Sequence, residues 1–382
     1  MGTMLVDMLQ DDIVPPPQLA SAKLKIVSVE TAVTLKRKLN AAIGDLLMLH
    51  LFDCMRKSGL GLLCAFVLTA AGATAQDNLP FTARGNLVRV PTLVRDATGA
   101  LVSGLHAVDF TIEDDGISQT VHLDEASEFQ PVSLMIAVQS GRKAANEYKR
   151  MTGLASMLDP ILSNSDNEAA VLFFDSKLDL VQDFTSDRDQ VEVQLKKLPW
   201  GDRGAAIMDA VAYSARLLGR RPEGRKRVLL LISETRDQGS KFTTLESALA
   251  AINNNDVSIY TLPFSPYLSQ QLDDLRGSNK NEWTPVIDLL ARMQELRQSM
   301  RKNIPHTLAN ITGGEYQLFL SRNGFEDHLI DFANHLHNRY ELSFEPKNPH
   351  PGLHQIRVRL RDGEDNRTLI YRSTYWVPSP AK

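Results

Sequence analysis

Val228-Leu229-Leu230-Leu231-Ile232 is an apolar run with no polar interruption, and the basic turn Gly219-Arg220-Arg221-Pro222-Glu223-Gly224-Arg225-Lys226-Arg227 leads into it. A strand with one face in water alternates apolar and polar residues. One covered on both faces does not, so this run reads as a central parallel strand. Residues 132–138, 169–174 and 257–263 are further, mostly apolar strand candidates, and a shorter strand fits residues 178–181. Between them lie helix patterns at 144–158, 188–198, 204–218 and 244–253. In the third of these, Ile207, Ala210, Val211 and Leu218 form the stripe of a helix facing a core. Strand and helix in alternation predict an α/β fold, a doubly wound and mostly parallel sheet, over residues 131–338.

Outward from this centre the pattern changes. Residues 80–127 alternate short strand-like runs with turns such as Asp96-Ala97-Thr98-Gly99 and Asp114-Asp115-Gly116, the signature of antiparallel β structure. Residues 339–377 hold only β-like runs, at 340–344, 355–361 and 368–376. Neither set is large enough to stand alone. A doubly wound domain can take in and release its chain at one end, so the two sets are expected to join in a small β-sandwich. Its core is expected to hold Phe110, Ile112, Ile356, Val358 and Trp376. Residues 265–305 break the alternation and read as an insertion with a helix at 286–300.

The N-terminal side carries a different kind of signal. Met55-Arg56-Lys57 is followed by an apolar run from Leu60 to Ala71 and by Ala73-Thr74-Ala75 before Gln76. Basic start, apolar middle and Ala-x-Ala end, in that order, are a secretory signal peptide over residues 55–75. The run is shorter than the roughly 20 residues a membrane span needs. Residues 1–54 then read as an upstream extension, with Met55 as the expected start. Cleavage after Ala75 places the mature chain in the periplasm or outside the cell, with no integral membrane span. Both cysteines, Cys54 and Cys64, fall within the removed part.

The 382 residues carry a formal charge of −4, so neither nucleic acid nor another polyelectrolyte is an expected partner. Phosphate-cradling glycine loops are absent, which excludes a nucleotide, and no nucleophile elbow or usable thiol supports an enzyme. No cofactor is expected.

Several stretches resemble one family. Residues 96–105, Asp109-Phe110 and Glu113-Asp114-Asp115-Gly116 are similar to the N-terminal β segment of the von Willebrand factor A-related (VWA) proteins of acidobacterial secreted type. Thr312-Gly313-Gly314-Glu315 resembles the turn before the last VWA strand, and Arg339-Tyr340-Glu341-Leu342-Ser343-Phe344 the strand after the last helix. The resemblance implies an adhesion-type site for Mg²⁺, built from Asp-x-Ser-x-Ser, a Thr and an Asp. Mg²⁺ wants an octahedron of oxygens. The matching positions here are Ala137, Gln139, Gly141, Ala205 and Glu234. Three of the five offer no side-chain oxygen, so the resemblance implies a degenerate site and no bound metal. A rebuilt site from Ser140, Asp202, Glu234 and Asp237 is the rival reading, and with it a metal-dependent receptor. A secreted hydrolase is the third.

Loops beyond the carboxyl ends of the strands are where open α/β sheets bind ligands. Arg142, Lys143, Arg203 and Arg236 fall in those loops and are the candidates for holding a protein or envelope component through carboxylate contacts. The remaining motifs read more plainly. His328, Asp331 and His335 suit a solvated helix face, His350 and His354 a loop around Pro351-Gly352, and the basic turn at 219–227 a solvated turn. The function expected is that of an exported, non-catalytic binding or assembly module.

Overall fold

A computed structural model describes residues 87–378, apart from 125–129, most positions between 142 and 157, 265–288 and 362–365. The β set on the N-terminal side comprises β1 (Val88–Arg95), β2 (Phe110–Asp114), β3 (Ile117–Ser118) and β4 (His122–Leu123). The alternating region follows with β5 (Val132–Gln139), α1 (Asp159–Leu162), β6 (Glu168–Phe174), β7 (Leu178–Thr185), α2 (Arg188–Leu195), α3 (Ile207–Leu218), β8 (Lys226–Ile232), α4 (Leu245–Asn254) and β9 (Val257–Thr261). Three helices, α5 (Leu289–Lys302), α6 (Ile304–Thr312) and α7 (Arg322–His337), precede β10 (Tyr340–Phe344), β11 (Gly352–Leu360), β12 (Thr368–Tyr371) and β13 (Thr374–Val377).

The apolar runs form the five-stranded sheet β7-β6-β5-β8-β9, parallel except for the β6–β7 hairpin. Every residue of β5 is buried, as its unbroken apolarity demands. Side chains alternate between the two faces. Leu134, Ile136 and Val138 join a core that reaches α7 through Phe325, Leu329 and Phe332. Met135 and Ala137 join the other, with Ile207, Ala210 and Val211 of α3. The α/β fold class read from the sequence is therefore the observed one. Helix 144–158 of the sequence reading lies largely outside the described residues.

Two features differ from expectation. Residues 315–319, where the resemblance of 312–315 implies a following strand, make only an isolated bridge, Thr261 to Tyr316. Within the expected insertion, α5 places Met293, Leu296 and Met300 in the α3-side core, so this part is built into the domain.

The two ends of the described chain make two four-stranded antiparallel sheets, β12-β1-β10-β4 and β13-β11-β2-β3. Val88 faces Phe344, and Ile112 faces Val358, in register. Both sheets share one core containing Phe110, Ile112, Ile356 and Val358, as expected. Trp376 does not belong to it. It is half-buried against the α3-side core, and its neighbour Tyr375 fills the sandwich instead. The reason is the break at Arg372-Ser373 between β12 and β13, which separates the strands that the sequence pattern ran together.

Candidate functional site

At the carboxyl ends of β5, β6 and β8 the chain forms a layered apex. Gln139, the last residue of β5, is 1% exposed. Its side-chain oxygen accepts the Glu234 backbone N–H at 2.8 Å, and its Nε2 donates to Glu234 Oε1 at 3.2 Å. The two side chains left of the five-residue ligand pattern thus close on one another. Ala137 and Ala205 are fully buried in the same apolar cluster, part of the packing between sheet and α3.

Gly141 decides the third position. A Cβ added there would stand 2.8 Å from the Gly204 carbonyl oxygen and 3.1 Å from that of Asp202. Backbone therefore fills the space in which a serine would reach for an ion. Gly201 and Gly204 approach as closely, their added Cβ atoms falling 2.6 Å from the Ser140 oxygen and 2.7 Å from the Ser176 nitrogen. Three glycines let three loops interlock, and Gly201 N–H donates to the Ser140 carbonyl at 2.7 Å.

The rebuilt site fares no better, because its carboxylates are already engaged, Glu234 by the Gln139 amide and the other two by backbone N–H groups. Asp202 accepts from Gly204 N–H at 2.6 Å and from the Ser176 hydroxyl, which holds its carboxyl below the usual range. Helix α3 has no capping side chain of its own at Ala206. Asp237 supplies the cap from across the loop, accepting from Met208 N–H at 3.0 Å, and Ser240 Oγ accepts from Asp209 N–H at 3.0 Å. Asp209 in turn accepts from Lys241 N–H at 2.8 Å and Phe242 N–H at 3.2 Å. Among the described residues Asp202, Glu234 and Asp237 do not form a group close enough to share an ion, and side chains so engaged do not fit Mg²⁺ in octahedral coordination.

Outside this closed layer the edge is open. Arg203 and Arg236 are exposed there, whereas Arg142 and Lys143 lie outside the described residues. The sequence reading missed two aromatic neighbours. Trp200, just before the Gly201–Gly204 segment, is 84% exposed, and Phe242, beside the Asp209 cap, is 88% exposed. Their signal in the sequence was present but weak: a lone aromatic in a polar loop.

Three polar groups were read as solvated, and in each a key member is not. His335 is buried on the inner side of α7, its Nδ1 3.0 Å from Glu315 Oε2, with Arg95 and Arg339 completing the group. His354 opens β11 instead of a loop and is 1% exposed. The basic turn is tied down as well. Arg221 grips Glu168 with two bonds of 2.7 and 2.6 Å, and Arg225 donates to the Val132 and Asp166 carbonyls. These arginines secure the amino ends of the central strands and are not offered to an anion.

Among the described residues no helix is long and apolar enough to cross a membrane. No protein-family model matches the chain, and no curated protein matches it. Among solved structures it is similar to the conserved hypothetical protein BatB from Bacteroides thetaiotaomicron, at 15% identity over 54% of this chain and 98% of that one, with a TM-score of 0.37. It is also similar to the von Willebrand factor type A protein from Catenulispora acidiphila, at 9% identity over 76% and 73% of the two chains, with a TM-score of 0.38. A third is the pilus adhesin SpaC from Lactobacillus rhamnosus GG in its open conformation, at 9% identity over 75% and 48%, with a TM-score of 0.36. At these identities and scores the likenesses say nothing about activity.

Proposed function

We propose that this chain is an exported, non-catalytic binding module of VWA type that holds a protein partner at its apex without a metal ion. The observation that carries the reading is the pair Trp200 and Phe242, 84% and 88% exposed, in loops that also display Arg203 and Arg236. Large aromatics and arginines are the residues that dominate protein interfaces, and water-exposed aromatics over a rigid base are costly unless covered. Beneath them the interlocked loops give a fixed platform, so little ordering is needed on binding. The signal-like segment at residues 55–75 is the reason for placing the protein outside the cytoplasm. The engaged carboxylates of the apex and the absence of a nucleophile motif support a role in binding over one in catalysis.

The test begins with a partner isolated from the envelope or secreted fraction and then purified. Its affinity is compared for the natural protein and a Trp200→Ala/Phe242→Ala variant, with and without a chelator. A loss of tenfold or more in the variant, unchanged by chelator, is expected. Equal affinity in both proteins removes the apex as the binding surface. Loss of binding on chelation alone favours the metal-dependent receptor.

A further inference from the structure

The turn Asp114-Asp115-Gly116 joins β2 to β3 with Asp115 and Gly116 both at positive φ, 50° and 82°. Asp115 Oδ1 is fully engaged, accepting from Gln355 N–H at 3.0 Å and from the Arg292 guanidinium of α5. Asp115 Oδ2 is buried and has no aligned hydrogen-bond donor among the described residues. Two imidazole nitrogens face it: His354 Nδ1 at 3.0 Å and His350 Nε2 at 3.4 Å.

His354 is held for this geometry. Its ring is stacked between His350, with centroids 4.1 Å apart, and Tyr375, at 4.5 Å, so it cannot turn. Its Nε2 lies 2.7 Å from the His350 carbonyl oxygen, a partner that only accepts, so Nε2 carries a proton and donates. Its Nδ1 faces the carboxylates of Asp115 and Asp114, and an ion would take the place of the proton shared there. Asp114 stands behind, 3.3 Å from His354 Nδ1, and its other oxygen accepts the Tyr375 hydroxyl at 2.8 Å.

We infer that His350, His354 and Asp115 form a site for a divalent transition-metal ion of the zinc class. Ligand bonds of about 2.0–2.1 Å in a tetrahedron place ligand atoms about 3.4 Å apart. One measured spacing, 3.4 Å, matches that value and the other, 3.0 Å, is somewhat shorter, and all three atoms lie within 4.8 Å of one another. Two nitrogens and one oxygen select zinc-class ions over Mg²⁺ or Ca²⁺, which take oxygen ligands. The outer shell is in place too: a carbonyl fixes the His354 tautomer, and an arginine with a backbone N–H fixes the carboxylate. Without an ion, Asp115 Oδ2 pairs with the two imidazoles; an ion would take the place of that pairing and bind all three atoms at once. His350 is half exposed. It supplies the way in. A water would complete the tetrahedron.

The experiment is calorimetric titration of the full, tag-free, chelator-stripped protein with Zn²⁺ alone, followed by melting scans. One saturable equivalent is expected, with a rise in Tm. His350→Ala changes only a half-exposed side chain, and Asp115→Asn keeps a residue type that tolerates positive φ. Each is expected to weaken this binding tenfold or more while both cysteines remain. Asp202→Asn at the apex is expected to leave it unchanged. Absence of saturable uptake, or uptake equal in the His350 and Asp115 variants, overturns the assignment.

Discussion

Glu315→Gln keeps the shape of the side chain and deletes one buried charge. Glu315 is 7% exposed and answers three bases: Arg339 Nη2 at 2.9 Å, His335 Nδ1 at 3.0 Å, and Arg95. Burial alone pushes its carboxyl up. The His335 hydrogen bond and the charges of Arg339, His335 and Arg95 outweigh that, holding it at about 2 against an ordinary 4.5. A difference of that size amounts to on the order of 3 kcal/mol in favour of the ionised form. Removing one partner of a buried pair, which strands Arg339 at 3% side-chain exposure, costs about 3–5 kcal/mol on its own account. The two routes agree, and either figure is a large part of the stability of an ordinary domain. Urea unfolding at pH 7 is expected to show that loss in the variant. A folded-state value below the unfolded one stabilises the protein above pH 4.5, and the benefit fades as pH falls from 4.5 towards 2. The curves of the natural and Gln proteins are therefore expected to converge as pH falls through that window. A variant as stable as the natural protein at pH 7, or a deficit of equal size at pH 3 and pH 7, would refute the reasoning.

Gly141→Ser returns a ligand-type oxygen to the apex, but its Cβ meets the Gly204 carbonyl at 2.8 Å. A loss of about 1–3 kcal/mol from overpacking is expected, and scanning fluorimetry is expected to find no recovery in millimolar Mg²⁺. A saturable Mg²⁺-dependent rise in Tm for that variant disproves the view that backbone fills the site. For export, mass spectrometry of the protein recovered from its native host is expected to find Gln76 at the amino terminus. A mature chain that keeps residues 1–54 contradicts this.

The sheet was legible because burial on both faces leaves an unmistakable mark: 134–138, 169–174 and 228–232 are apolar throughout. The sandwich was legible from a size argument, since neither terminal β set can cover its own face. What escaped was pairing between distant polar residues. His335 sits on its helix where periodicity places it at the margin of the apolar stripe. Nothing local shows that Glu315 and Arg339 wait there to accept it. Likewise His354 reads as a loop residue, because Pro351-Gly352 dominates the local pattern, while the Asp115 it meets lies 239 positions earlier in register terms with Gln355 as its backbone partner at 240. The closed apex was half readable. The missing ligand oxygens were visible, but not the carbonyls occupying their space, and the capping of α3 by Asp237 crosses between loops with no sequence signature.

The sandwich draws its strands from both ends of the chain, and its closing bonds span the whole α/β region, as with the Tyr340 hydroxyl donating to the Val102 carbonyl 238 residues away. β1 and β2 are made early and finished late. Until β10 and β11 are available, β1 has neither neighbour and β2 only the short β3, so their edges are open to any passing strand. Contacts of such range slow folding. A truncation that removes the final forty residues is thus not a trimmed version of this protein. It is an α/β core trailing two adhesive ribbons, and such fragments are material for aggregates and for strand exchange between copies.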